Sequence, residues 1–171
     1  MKKRRQSGFT LVELMFGIAV VAILMAVAVP TFRSFINNNR VTAAQNDLVA
    51  ALNLARSEAA RRSTPVSVCA STDGAACATK TDWPFGWIVF RDPGAAGTVA
   101  ATTDILQKWG PITGSVLLTT NSGLVQYQST GTLVGPATTV DISYAGCTGT
   151  NKRHVQVSLS GSISSQRQTC P

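Results

Sequence analysis

The segment GFTLVELMFGIAVVAILMAVAVPTF, residues 8–32, decides how the rest of this chain is read. It contains one ionisable residue, Glu13, and the sixteen residues from Leu14 to Val29 carry no charge and no strongly polar side chain. As a helix, Phe9 to Pro30 would span roughly 33 Å, enough to cross a hydrocarbon layer of ~30 Å. Lys2, Lys3, Arg4 and Arg5 stand just before it and no basic residue lies within it, so the positive-inside rule holds the N-terminus in the cytoplasm and exports everything after Phe32. A secretory signal cut near Ala26-Val27-Ala28 and a plain single-pass anchor both fit this pattern. Neither accounts for Glu13, because an ionised carboxylate costs up to ~2.5–3.5 kcal/mol at the centre of such a helix, and less near the interface.

Composition bounds the remainder. With 171 residues, 44% hydrophobic and 13% charged, the chain is long enough for one compact domain plus an attached segment, and it is neither disordered nor polytopic. The formal charge of +7 overstates its basicity, since 11 basic residues face 8 acidic ones after residue 8. The single histidine, His154, excludes a His pair for metal, and Cys69, Cys77, Cys147 and Cys170 include no C-x-x-C, so no zinc, redox or other cofactor site is expected. Four cysteines suggest disulfides in an oxidising compartment. Three connectivities are possible, and the spacings favour Cys69 with Cys77 and Cys147 with Cys170. The carboxylates at Asp47, Glu58, Asp73, Asp82, Asp92, Asp104 and Asp141 are scattered and compose no triad or acid pair with His154, so no enzyme is expected.

From Thr31 to about Ser63 the helical pattern continues and turns amphipathic: Leu48, Leu52, Ala55 and Ala59 form one apolar stripe, Asn37-Asn38-Asn39 interrupts it, and Pro65 ends it. Arg56, Arg61 and Arg62 sit where a helix dipole favours cations. Beyond Pro65, short alternating runs predict antiparallel strands at 66–70, 86–91, 105–109, 115–119, 124–128, 140–144 and 155–159, with a turn at Ser160-Gly161 leading back along Ile163. Residues 94–103 read as a loop. Most aromatic residues are assigned to the sheet core, with Trp83-Pro84-Phe85 as the exposed pair beside the Cys69 to Cys77 loop, and His154 is assigned to a solvated turn.

Gly8-Phe9-Thr10-Leu11-Val12-Glu13-Leu14 resembles the leader junction of type IV pilins and type II secretion pseudopilins. Ala55-Arg56-Ser57-Glu58-Ala59, Val66-Ser67-Val68-Cys69 and Gly86-Trp87-Ile88-Val89-Phe90 resemble the GspH/FimT branch of minor pilins and pseudopilins. The resemblance implies a prepilin peptidase that cuts between Gly8 and Phe9 and methylates Phe9. It also implies that the apolar helix is retained, that Glu13 meets the α-amino group of a neighbouring subunit, and that Pro30 bends the helix. The expected architecture is an α+β pilin fold: a leader at residues 1–8, a transmembrane and filament-core helix at 9–32, and a periplasmic domain at 33–171 packed on an antiparallel sheet.

The expected function is that of a minor pilin or pseudopilin that initiates or caps a filament. Its partners would be other pilins, the peptidase and the inner membrane. The alternative is a FimT-like minor pilin that binds double-stranded DNA for uptake. The Gly-Arg-x-Arg motif of such members is replaced by Gly161-Ser162-Ile163-Ser164, which leaves Lys152, Arg153 and Arg167 as candidate phosphate contacts; the competing role is a solvated basic edge that blocks strand pairing.

Overall fold

A computed structural model describes residues 9–170. The chain divides into two units, Met1–Ile36 and Asn37–Pro171. One helix, α1 (Leu11–Arg62), contributes to both. In the first unit every residue from Phe9 to Arg33 is exposed. The Thr10 hydroxyl accepts the Glu13 backbone N–H at 3.3 Å, a side-chain cap for one of the free N–H groups of the first turn. Pro30 lies inside α1, where it has no N–H to give the Ala26 carbonyl.

In the second unit α1 buries Val41, Ala44, Leu48, Ala51, Leu52, Ala55 and Ala59, spacings of three and four that keep one face inward. The four-residue stripe read from the sequence lies within this face. The helix ends as a Schellman motif: Ser63 takes the left-handed conformation (φ 50°), Thr64 N–H donates to the Ala59 carbonyl and Ser63 N–H to the Ala60 carbonyl. Pro65 follows and cannot extend it.

Among the described residues nine strands follow: β1 (Val66–Ala70), β2 (Trp87–Arg91), β3 (Ile105–Trp109), β4 (Val116–Thr120), β5 (Leu124–Tyr127), β6 (Leu133–Val134), β7 (Thr138–Tyr144), β8 (Lys152–Val157) and β9 (Ile163–Gln168). They form two antiparallel sheets, ordered β3-β2-β1-β5-β6 and β4-β7-β8-β9. The buried face of α1 joins one core with inward residues of both sheets, among them Val68, Trp87, Tyr127, Ile142 and Val155. Full burial of each large aliphatic side chain stabilises the fold by ~1.5–3 kcal/mol.

β7 and β8 alternate as a one-sided sheet should, but β1 is buried at all five positions. Its outer face is covered: Cys69, Ile88 and Phe90 form a second small core with Cys77, Val99, Ile105 and Leu124. Asp92 holds the covering segment in place. Its buried carboxylate accepts from Ser67 Oγ (2.8 Å), Gln126 Nε2 (2.6 Å), Ala96 N (2.9 Å) and Gly97 N (2.8 Å).

Three sequence readings are corrected. Trp83 is fully buried with its ring centroid 6.3 Å from that of Trp87, and only Phe85 of the expected exposed pair faces solvent, because the short 3-10 turn Trp83–Phe85 points alternate side chains in and out. His154 sits inside β8 and not in a turn, since β8 begins at Lys152 to pair with β7 and β9. Arg56, Arg61 and Arg62 do more than offset the helix dipole: Arg56 donates to the Ser160 carbonyl (3.2 Å), and Arg61 and Arg62 both bind Glu58. β6 escaped the sequence reading, because two residues carry no periodicity.

Candidate assembly site

Phe9 and the N-terminal part of α1 present a continuous apolar surface, with Phe9 81%, Leu11 74% and Phe16 73% exposed. Soluble monomers rarely leave a patch of this extent uncovered. Glu13 carries the one ionisable side chain between Phe9 and Phe32, and it lies in the first turn, where the helix dipole favours a carboxylate. Phe9, Glu13, Leu14, Gly17, Ile18 and Val21 line a shallow hollow of about 310 Å³. A Cβ added at Gly17 would face open space, with nothing within 4 Å. The arrangement joins one carboxylate to an apolar recess, which suits a partner that is apolar apart from a single cation. Gly8 lies outside the described residues, so the junction itself has no geometry to report.

The cations of the C-terminal hairpin divide between two faces. β8 alternates, so Lys152 and His154 share one face and Arg153 and Val155 the other. On the outer face, Asp141 accepts from Lys152 Nζ (2.8 Å) and meets His154 Nδ1 (2.6 Å). Burial pushes the Asp141 carboxyl up, but its bonds to Lys152 and His154 outweigh that and hold it below the usual carboxylate range.

On the inner face Arg153 is 3% exposed; its guanidinium donates to Asn38 Oδ1 (3.1 Å), Thr42 Oγ1 (3.1 Å) and the Thr150 carbonyl (3.5 Å). Desolvation, and then the nearby Arg167, lowers its proton affinity. Arg167 is its register partner on β9 and is exposed. Lys152, Arg153 and Arg167 therefore do not make one patch. The period-two alternation of a strand at 152–157 would have separated Lys152 from Arg153 in sequence; what hid it was placing the strand start at Val155.

Disulfides join Cys69 to Cys77 and Cys147 to Cys170, with Cα separations of 5.6 and 5.7 Å. The first anchors the loop after β1 beside the outer core, and the second ties the segment after β9 to the segment between β7 and β8. The turn between β8 and β9 presses on the turn after β5. Gly161 adopts φ 75°, and a Cβ there would overlap the Gly131 carbonyl oxygen, so only glycine lets the two turns meet.

A long N-terminal helix, apolar and exposed at its start and packed on antiparallel sheets after it, defines the pilin class of α+β proteins. The chain belongs to the family described as type II transport protein GspH, which it matches over residues 44–162, and it carries the prokaryotic N-terminal methylation motif over residues 3–29. Among solved structures it is similar to the type IV minor pilin FimU of Pseudomonas aeruginosa: 26% identity, TM-score 0.59, covering 80% of this chain and 92% of that one.

Two curated relatives extend the likeness. The type IV major fimbrial protein FimA of Dichelobacter nodosus is 31% identical over 103 residues, 60% of this chain and 54% of that protein. The type II secretion system core protein G of Pseudomonas aeruginosa is 42% identical over 50 residues, 29% of this chain and 35% of that protein. These matches span about a third to a half of those relatives' lengths. The chain is thus type IV pilin- or pseudopilin-like.

Proposed function

We propose that this chain is a minor subunit that initiates or caps a type IV pilus or a type II secretion pseudopilus. The observation that carries the reading is the exposed apolar helix from Phe9 to Phe32 with Glu13 as its one charge, on a chain whose sheet core closes with residues from 41 onward. Such a helix needs lipid before assembly and sibling helices after it. In this scheme a prepilin peptidase cuts between Gly8 and Phe9 and methylates Phe9. The helix then holds the protein in the inner membrane with residues 33–171 in the periplasm until it enters the filament.

Glu13 docks the subunit. In a filament core an unpaired carboxylate is costly, and the α-ammonium of a neighbouring subunit offsets it. The hollow beside Glu13 supports this role, since it gives an incoming N-terminus apolar contact next to the carboxylate. No specific observation favours the DNA-uptake reading, because Lys152 is engaged by Asp141 and faces away from Arg153.

The test is immunoblotting of membranes and sheared filaments. Glu13→Ala should remain processed and inserted but fall at least tenfold in the filament fraction, and normal incorporation would refute the docking role. Gly8→Ala should retain precursor size; a mature-sized band from it would refute the cleavage site.

A further inference from the structure

The inner face of the C-terminal hairpin carries a feature that helix docking does not use. Thr42, Gln45, Arg153, Ser165, Gln166 and Arg167 line a hollow of about 240 Å³ between α1 and the edge strand β9. Its donors are two guanidiniums, the Gln45 amide, which reaches Ser165 Oγ at 3.4 Å, and the Ser165 hydroxyl, while the Thr42 hydroxyl is spent on the Asn38 carbonyl and accepts from Arg153. Arg153 and Arg167 stand directly opposite in register, an arrangement that costs stability when the charges are alike.

Among the described residues no carboxylate lines the hollow, and the Arg167 side chain makes no ion pair or hydrogen bond. The acidic side chains of this unit are placed elsewhere: Glu58 binds Arg61 and Arg62, Asp104 binds Arg91, Asp73 and Asp82 cap their own loops, Asp47 lines a separate hollow with Arg40, Asp92 is enclosed beneath its own loop, and Asp141 is on the opposite face of the sheet. A nearly buried arginine facing a second arginine, with only neutral partners, is a site short of one negative charge.

We infer that this hollow is a receptor for a single carboxylate, carried on an acidic side chain of another pilin-type subunit. The guanidinium of Arg167 supplies the planar fork, Arg153 the fixed positive floor, and Gln45 and Ser165 the flanking donors. A carboxylate fits better than the phosphates of a nucleic acid. Tracking a phosphate backbone takes a run of cations along a surface, whereas here only two arginines face the hollow and Lys152 lies on the other side of the strand. The identity of the occupant as a subunit rests on the filament reading above; the anion pocket itself does not.

The test has two arms. In the first, the full chain in detergent micelles is melted by tryptophan fluorescence with increasing acetate against chloride at equal ionic strength. Acetate should raise Tm saturably by roughly 2–4 °C. Arg167→Met should start at a higher Tm than wild type, because the like-charge pair is relieved, and should no longer respond to acetate. Arg167→Glu, which brings a carboxylate into the pocket, should behave likewise. A wild-type melt indifferent to acetate, or an undiminished response in Arg167→Met, would overturn the pocket. A rise with a short DNA duplex and none with acetate would also overturn it, in favour of phosphate.

In the second arm, Arg167→Glu should be folded and membrane-inserted yet depleted from sheared filaments. Normal incorporation would overturn the subunit carboxylate as occupant. Absence of the wild-type chain from filaments would defeat the filament reading and that occupant with it, while the acetate response would still decide the pocket.

Discussion

Asp92→Asn isolates the energetics of the loop that covers the outer face of the first sheet. The substitution keeps shape and volume, so cavity formation is not involved; what changes is the hydrogen-bond inventory. The carboxylate takes three donors at Oδ2, from Ser67, Gln126 and Gly97, and one at Oδ1, from Ala96. An amide has one accepting oxygen. Its better orientation keeps that oxygen on the three-donor side and turns the NH₂ toward the Ala96 N–H, donor against donor.

The orphaned amide costs ~1–3 kcal/mol, and the three surviving bonds weaken on losing a charged acceptor. Relief from burying a charge returns part of that loss. The net expectation is a destabilisation of about 2–4 kcal/mol. Trp83, Trp87 and Trp109 all lie in the second unit, so urea titration of the full chain in micelles, followed by tryptophan fluorescence, reads this unit directly. The midpoint should fall with an unchanged slope. Ser67→Ala should cost less, about 1 kcal/mol, because Gln126 still reaches the carboxylate. A stability for Asp92→Asn within ~0.5 kcal/mol of wild type would refute the reasoning, and the covering loop would then be held by its apolar contacts alone.

Gly161→Ala should lower stability by about 2–4 kcal/mol in the same titration, since the new methyl meets the Gly131 carbonyl and the left-handed backbone is strained as well. Removing each disulfide should separate the two: in the chain-entropy account, replacing Cys147 and Cys170 by serine costs about 3.4 kcal/mol and replacing Cys69 and Cys77 about 2.5 kcal/mol, so the former pair should give the larger fall in urea midpoint. For pH, the side-chain bonds from Arg61 and Arg62 hold the Glu58 carboxyl down at about 2, against an ordinary value of 4.5. A depressed carboxylate contributes stability above its unfolded value and loses it as pH falls from about 4.5 toward 2. Acid titration of Glu58→Gln should therefore be flatter than wild type across that window, by a small margin because solvent screens the pair.

Much of the architecture was legible from local pattern. Leu48, Leu52, Ala55 and Ala59 mark the buried helix face by spacing, Pro65 marks its end, and strands such as 66–70 and 105–109 stand where their alternation predicted. The misreadings share one cause. Trp83 stands beside a loop, which locally points to exposure, and Lys152, Arg153 and His154 have the local polarity of a solvated turn although β8 begins at Lys152. In both cases partners distant in sequence override local polarity: the core that α1 shares with both sheets in the first, Asp141, Asn38 and Thr42 in the second.

By itself the sequence determined what depends on neighbours along the chain: an apolar helix with one carboxylate in its first turn, its amphipathic continuation, and the β-rich remainder. Hydropathy and helical spacing are local properties, so they survive without a fold. Only the tertiary structure decided which cations share a surface, because pairing β8 with β7 and β9 sends Lys152 to Asp141 and Arg153 toward α1 and Arg167. It likewise decided that Asp92 is enclosed beneath a loop, since a carboxylate becomes an anchor only when donors from Ser67, Gln126, Ala96 and Gly97 converge on it.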